Sequence, residues 1–217
     1  MDRYLALTDA IAEHLRGYGI PAERIVVKPN SVPDPGEPAP LGAGFLFLGR
    51  LTEEKGVHLL LDAWQRHPDG ALGTLTVVGD GPLRPLVEQA ATARSDLDFR
   101  GPQDRAGVAA ALRAAAVVLA TSTWYDVLPT VILEALAAGR PVLGTDLGGI
   151  PYLIGDAGWV VPAQPDALAG ALATAHVEAA ELAPRARQRY LGTFTPELIT
   201  KRLLDVYTEL ADRPASR

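Results

Sequence analysis

The chain contains no cysteine, which excludes disulfides and thiolate metal sites but says little about redox compartment beyond permitting the cytoplasm. Its four histidines, His14, His58, His67 and His176, lie far apart without the paired helical spacing of a metal cluster. Lysine and arginine nowhere form a basic stripe, and a net charge of −6 argues against a broad nucleic-acid footprint. Any anionic ligand must therefore be met locally. Long apolar runs are missing too: AVVLATSTWY, after Arg113, is too short and too polar to span a bilayer, and MDRYLALTDA lacks the pattern of a signal peptide. Neither a repeat nor a low-complexity tract occurs. What remains is a globular composition: 217 residues, 48% hydrophobic, enough for one generous core or two small ones.

Short Val/Leu-rich runs alternate with helical patterns along the chain: IVVK, GFLFLG, LTVVG, LDFRG, AVVLA, PVLG and WVV. Continuous apolar strands, each followed by a helix, indicate a doubly wound α/β fold with a parallel sheet covered on both faces. Helices are expected over about 8–18, 56–67, 83–93, 104–112, 129–139, 166–183 and 196–211. One Pro/Gly-rich connection, VPDPGEPAPLGAG from Val32 to Gly44, separates the leading residues from the sheet, with 33–43 as the linker proper. From Glu181, a stretch with Pro184 and several arginines, then an amphipathic helix from Pro196, reads as an element apart from the βαβ series.

Ligands of such sheets bind at the carboxyl ends of the strands. Three strand-to-helix loops stand out there. In VLPTVILEALAAG, between Asp126 and Arg140, the only ionisable group is Glu134, mid-helix in an apolar segment. A buried carboxylate needs donors, since leaving it unpaired costs several kcal/mol by order of magnitude. Pro129 as first helical residue leaves the Thr130 and Val131 amides free at the positive helix end, a seat for phosphate. Glu134, one turn on, leans back toward that end. A ribose beside a phosphate would satisfy both; alternatively Glu134 pairs with an arginine such as Arg140 or Arg113. Asp126, eight residues earlier, would hold a group beyond the phosphates or merely cap a turn.

The second loop is GRLTEEKG, Gly49 to Gly56, where Arg50 and Lys55 suit a diphosphate unless they pair with Glu53 and Glu54. The third, VGDGPLR, has Gly79 and Gly81 but Arg84 at the third glycine position of a dinucleotide fingerprint, so the pair reads as a tight turn near a ligand. The DxD spacing Asp96-Leu97-Asp98 reads as the lead into a strand rather than a metal site.

Together KPNSV (Lys28–Val32), GRLTEEKG, VGDGPLR, Phe99-Arg100-Gly101 and EALAAGRPVLGTDLGGIP resemble the retaining, GT-B fold glycosyltransferases of family 4, the group 1 glycosyltransferases. The likeness covers nearly the whole chain and matches the donor-binding half: a Rossmann-like sheet over 44–190, preceded by a remnant of the interdomain segment (1–32) and followed by a crossing helix (191–217). By this resemblance the N-terminal acceptor domain of such enzymes is expected to be missing. The resemblance implies that Arg50 and Lys55 grip the diphosphate of a UDP-, GDP- or ADP-sugar, with Gly49, Gly79 and Gly81 among the residues that bind the donor. It also implies that Leu128, Pro129 and Thr130 present the helix end to phosphate, that Glu134 binds the ribose, and that the base lies near Arg100 and Gly101. Asp126 stands where the family commonly has Glu and would face the donor sugar. Tyr152 replaces a common Glu, and no role is carried onto it.

The implied function is metal-independent transfer of a hexosyl group to an acceptor hydroxyl, with no cofactor and with acceptor groups supplied by the missing domain. The chain alone is expected to bind donor and transfer little. Its implied location is cytoplasmic, with any peripheral membrane contact made through the missing domain. Alternatives are a non-catalytic nucleotide-sugar-binding or interaction module, and a fragment of a GT-B-like nucleotide-sugar epimerase. An NAD-binding domain is weaker, for want of the third glycine and of the acidic residue about twenty positions on.

Overall fold

A computed structural model describes residues 3–212; the expected first and last segments extend beyond these, to 1–2 and 213–217. The chain opens with a small βαβ unit. Strand β1 (Tyr4–Ala6) and strand β2 (Ile25–Val27) pair in parallel through helix α1 (Asp9–Gly17) and a 3-10 turn at Ala22–Arg24. Thr8 caps α1, its Oγ1 accepting from the Ile11 amide at 3.4 Å.

The main sheet has six parallel strands: β3 (Phe45–Leu48), β4 (Leu75–Val78), β5 (Leu97–Gly101), β6 (Val117–Ala120), β7 (Val142–Thr145) and β8 (Gly158–Val161). Their spatial order is β5-β4-β3-β6-β7-β8, so the order reverses between β3 and β6. The inner strands are buried on both faces, the edge strands β5 and β8 less so, and the pleat sorts the inward side chains into two cores. Phe45, Phe47, Val77 and Leu119 pack with helices α2 (Val57–Gln65) and α3 (Arg84–Ala93). Leu46, Val78, Val118 and Ala120 pack with α4 (Arg105–Ala114), α5 (Thr130–Ala137) and α6 (Ile150–Ile154).

Helix α7 departs from the sequence reading. It runs unbroken over Pro165–Thr193, with Pro184 inside it, rather than ending at 183. The stretch after Glu181 is thus no separate element, and the boundary expected at 190 falls within a helix. Leu168, Leu172 and Ala175 pack in the first core, Ala186 and Tyr190 in the second. Pro184 is exposed; its ring faces water, and the apolar residues on either side of it hold the helix together across the one backbone bond it lacks. Helix α8 (Pro196–Ala211) then buries only Ile199 and Val206 and reaches the N-terminal unit, where Glu209 pairs with Arg3. Among the described residues no helix is long and apolar enough to cross a membrane.

The 33–43 segment is pinned. Tyr190 donates to the Val32 carbonyl at 2.8 Å, and Arg187 pairs with Asp34 at 2.8 Å. Arg140, 1% exposed, donates to the Ala39 and Pro40 carbonyls at 3.2 and 2.9 Å. The same guanidinium caps α4 from outside: Nε reaches the Leu112 carbonyl at 3.0 Å and Nη2 the Arg113 carbonyl at 2.9 Å. The Ala115 amide takes the Ala111 carbonyl and the Ala43 amide that of Ala114, so all four last carbonyls of α4 are satisfied.

Candidate functional site

The reversal of strand order opens a cleft between the carboxyl ends of β3 and β6, where doubly wound sheets bind ligands. A hollow of about 130 Å³ lies there, lined by Gly49, Lys55, Thr121, Ser122, Pro129 and Thr130 among others. Helix α5 begins at Thr130 with Pro129 as its N-cap, one residue later than expected, and Ile132 N–H bonds back to the Pro129 carbonyl at 3.1 Å. Among the described residues the amides of Thr130 and Val131 make no backbone bond, and they stay available at the positive end of the helix.

Lys55 Nζ stands 2.5 Å from Asp126 Oδ2, with the two side chains 27% and 20% exposed. The Ser122 hydroxyl donates to the same oxygen at 3.4 Å. The structure thus brings together two residues 71 positions apart. Lys55 lines both the first hollow and a second one of about 380 Å³, which Asp126 lines too, together with Leu7, Asn30, Arg50, Glu54, Trp124, Tyr125 and Leu128. Arg50 is well exposed and lies 3.5 Å from Glu54, so one of the alternative pairings foreseen for this loop does form.

Main-chain contacts brace the loops. Gly79 and Gly81 adopt φ of 145° and 154°, and a Cβ on them would stand 1.8 Å from the Gly49 carbonyl oxygen and 2.6 Å from that of Leu51. Both glycines therefore act on the GRLTEEKG loop directly: their turn lies flush against it, and Leu51 N–H donates to the Asp80 carbonyl at 2.8 Å. Gly148 and Gly149 do the same for Asp126. A Cβ on Gly148 would lie 2.2 Å from the Asp126 carbonyl oxygen, which accepts from Gly149 N–H at 2.8 Å. Bonds from Thr121 Oγ1 to the Lys55 carbonyl (3.1 Å) and from Thr123 Oγ1 to the Glu53 carbonyl (2.8 Å) tie the β6–α5 loop to the loop after β3.

Glu134 lies elsewhere. It is half-buried and borders a third hollow of about 450 Å³ between α4, α5 and the pinned segment, with Arg105 on the opposite wall. Burial raises its pKa, and the charge of Arg105 partly opposes that. Arg140 is not its partner, being engaged by carbonyls alone. Arg100 and Gly101 close β5, the edge strand, outside all three hollows, and Arg100 Nε pairs with Asp98 Oδ2 at 2.7 Å. Asp96, the other half of the DxD, is 5% exposed and accepts from Trp64 Nε1, Gly70 N–H and Arg94. Sequence reading passed over Asn30, Ser122, Trp124 and Tyr125. The aromatic pair directly before Asp126, in a loop that closes a strand, was the signal that could have found the last two.

The family description "Glycosyl transferases group 1" matches residues 42–176, well over half of the chain. The chain belongs to the group 1 glycosyltransferases. This group 1 chain is 31% identical over 229 residues to the putative colanic acid biosynthesis glycosyltransferase WcaL of Salmonella typhimurium, a match covering 93% of the chain and 55% of WcaL. It is 40% identical over 140 residues to the phosphatidyl-myo-inositol mannosyltransferase of Mycobacterium tuberculosis, covering 61% of the chain and 36% of that enzyme. The chain thus spans between about a third and a little over half of the length of these relatives. Among solved structures, HepE of Anabaena in complex with UDP superimposes with a TM-score of 0.81 at 21% identity, over 96% of this chain and 64% of HepE. That likeness establishes the architecture as the Rossmann-like half of a GT-B fold.

Proposed function

We propose that this group 1 chain is the donor-binding half of a retaining hexosyltransferase of family 4 and holds a nucleoside-diphosphate sugar at the β3/β6 cleft. The observation that carries the reading is the convergence of Lys55 with the free amides of Thr130 and Val131 on one small hollow at the strand-order reversal. A diphosphate seated there meets a fixed ammonium and the positive end of α5, with Arg50 closing from the loop after β3. Glu134 accepts from the ribose hydroxyls, the base extends toward Arg100 and Gly101, and Asp126 faces the transferred sugar. Relatives that include WcaL and a mannosyltransferase support a glycosyl substrate.

In the transfer step the bond from the anomeric carbon to the β-phosphate oxygen breaks. The acceptor hydroxyl oxygen bonds that carbon on the same face, and its proton passes to the departing phosphate. Negative charge grows on the diphosphate, where Lys55, Arg50 and the α5 amides stabilise it; the reading calls on no metal. The acceptor is held by a domain outside this chain, so the chain alone binds donor without turning it over.

Calorimetric titration of the chain with UDP, GDP and ADP tests this. One nucleotide binds, and Arg50→Ala, Lys55→Ala and Glu134→Gln each weaken it about tenfold or more, as expected for hydrogen bonds to charged groups. Unchanged affinity in all three variants, or transfer at full rate by the chain alone, would refute the reading.

A further inference from the structure

Strand β7 ends in a threonine, Thr145, that is 0% exposed and lines neither the first nor the second hollow. The β6–β7 ladder stops just before it, its last pair being Ala120 and Gly144, while Thr145 goes on pairing with Val161 of β8. Past Ala120 the chain leaves β6 and enters the site loop as Thr121-Ser122-Thr123. There the Thr145 side chain takes over from the ladder: its hydroxyl donates to the Ser122 carbonyl at 2.7 Å, inside the protein.

The carbonyl and the N–H of one trans peptide lie in a single plane and point opposite ways. The peptide whose carbonyl Thr145 holds therefore presents its N–H, that of Thr123, away from β7, and this N–H donates to the Glu54 carbonyl at 3.0 Å. Glu54 directly precedes Lys55. From the same three residues, Ser122 Oγ donates to Asp126 Oδ2 at 3.4 Å, Thr121 Oγ1 to the Lys55 carbonyl at 3.1 Å and Thr123 Oγ1 to the Glu53 carbonyl at 2.8 Å. One buried hydroxyl thus fixes the peptide from which both Lys55 and Asp126 are held. Without it the Ser122 carbonyl is a buried acceptor that must turn to find another donor, and the turn draws Thr123 N–H off Glu54 and Ser122 Oγ off Asp126.

We propose that Thr145 is a positioning residue of the donor site: from outside both hollows, through the Ser122–Thr123 peptide, it sets the main chain at Lys55 and the carboxylate of Asp126. The proposal rests on the donor-site reading above and gives a part in it to β7, a strand that lines neither hollow.

Thr145→Val keeps the shape of the side chain and removes the hydroxyl, whereas Thr145→Ser keeps the hydroxyl. Calorimetry with UDP, GDP and ADP, run where circular dichroism shows every variant fully folded, should find the bound nucleotide weakened about three- to tenfold in Thr145→Val and within about twofold of the parent in Thr145→Ser. Thr123→Val, at an exposed position where folding is not at stake, removes the neighbouring tie to Glu53 and weakens the nucleotide in the same direction. In a Lys55→Ala background Thr145→Val changes affinity by less than about twofold, because the residue it acts through is gone; a general loosening would add to the Lys55 effect instead. A second readout needs no nucleotide. With lysine isotope-labelled at its ε-carbon, Thr145→Val moves the Lys55 NMR signal in the direction that Asp126→Asn moves it, while Thr195→Val, which removes the cap of α8, leaves it in place. Parental affinity in Thr145→Val, an equal loss in Thr145→Ser, or an unmoved Lys55 signal would refute the positioning role while the donor site stands. If the unsubstituted chain binds no nucleotide at all, the donor-site reading fails and takes the positioning role with it.

Discussion

Replacing Arg140 with methionine removes five contacts to four carbonyls, those of Ala39, Pro40, Leu112 and Arg113. The strap carbonyls of Ala39 and Pro40 lie near the surface and regain water. Those of Leu112 and Arg113 end α4, and Arg140 is the group that caps them. An orphaned buried acceptor costs about 1–3 kcal/mol, so two of them cost about 4 kcal/mol. Relief from burying a cation, whose pKa burial already lowers, returns part of that. The expected net loss is about 3 kcal/mol. With a urea slope of about 2 kcal/mol/M, the unfolding midpoint falls by about 1.5 M. The melting temperature drops by about 6–12 °C, at 2–4 °C per kcal/mol for a chain of this length. Arg140→Lys keeps the charge but not the planar fork that reaches both helix and strap, and it recovers about half. A methionine variant within about 0.5 kcal/mol of the parent, or methionine and lysine variants of equal stability, would refute the capping argument.

Gly148→Ala forces a Cβ into the Asp126 carbonyl from a φ of 61°; a loss of at least about 2 kcal/mol in urea unfolding is expected, with weaker binding of nucleotide-sugar. Burial disfavours the charge on Asp96, but hydrogen bonds from Arg94, Gly70 N–H and Trp64 outweigh it and hold the carboxyl below the usual range. The stability this contributes is complete above the unfolded pKa of about 3.9 and is lost as pH falls below it. Asp96→Asn should therefore cost about 2–4 kcal/mol at neutral pH, and the cost should shrink in acid titrations. Glu134 has the opposite sign: its raised pKa makes the ionised form a liability in the fold. Glu134→Gln should raise the midpoint of thermal unfolding at pH 7, with the gain fading below about pH 4, the ordinary glutamate range. A destabilised glutamine variant at pH 7 would show that Glu134 is paired in solution.

The inner strands of the main sheet were legible because strands buried on both faces must be apolar without alternation, as FLFL and VVLA are; the edge strands β5 and β8, less buried, were legible from their place in the strand–helix alternation. The small elements were not. Three residues at Tyr4–Ala6 carry no period, and α6, five residues with Pro151 near its start and Gly155 at its end, looks like a loop when read locally. The helix end expected before Pro184 failed because a proline rule weighs one backbone bond, whereas Ala186, Tyr190 and the packing before them decide the course of α7. In the site, Lys55 and Asp126 were each visible as charges beside a helix start. Their pairing across 71 residues depends on the β3–β6 adjacency, which no local pattern carries. The glycines were read as partners of a ligand, since sequence shows their freedom but not what lies against them.

Gly79, Gly81, Gly148 and Gly149 set where Lys55 and Asp126 stand, by letting one main chain lie flush on another. The tolerance of this fold to substitution should consequently run opposite to chemical interest. Arg50, exposed and loosely paired, accepts most replacements without loss of the folded protein, whereas the four positions with no side chain accept almost none. A saturation library sorted for soluble expression would draw the outline of the site in glycines, before any substrate had been added.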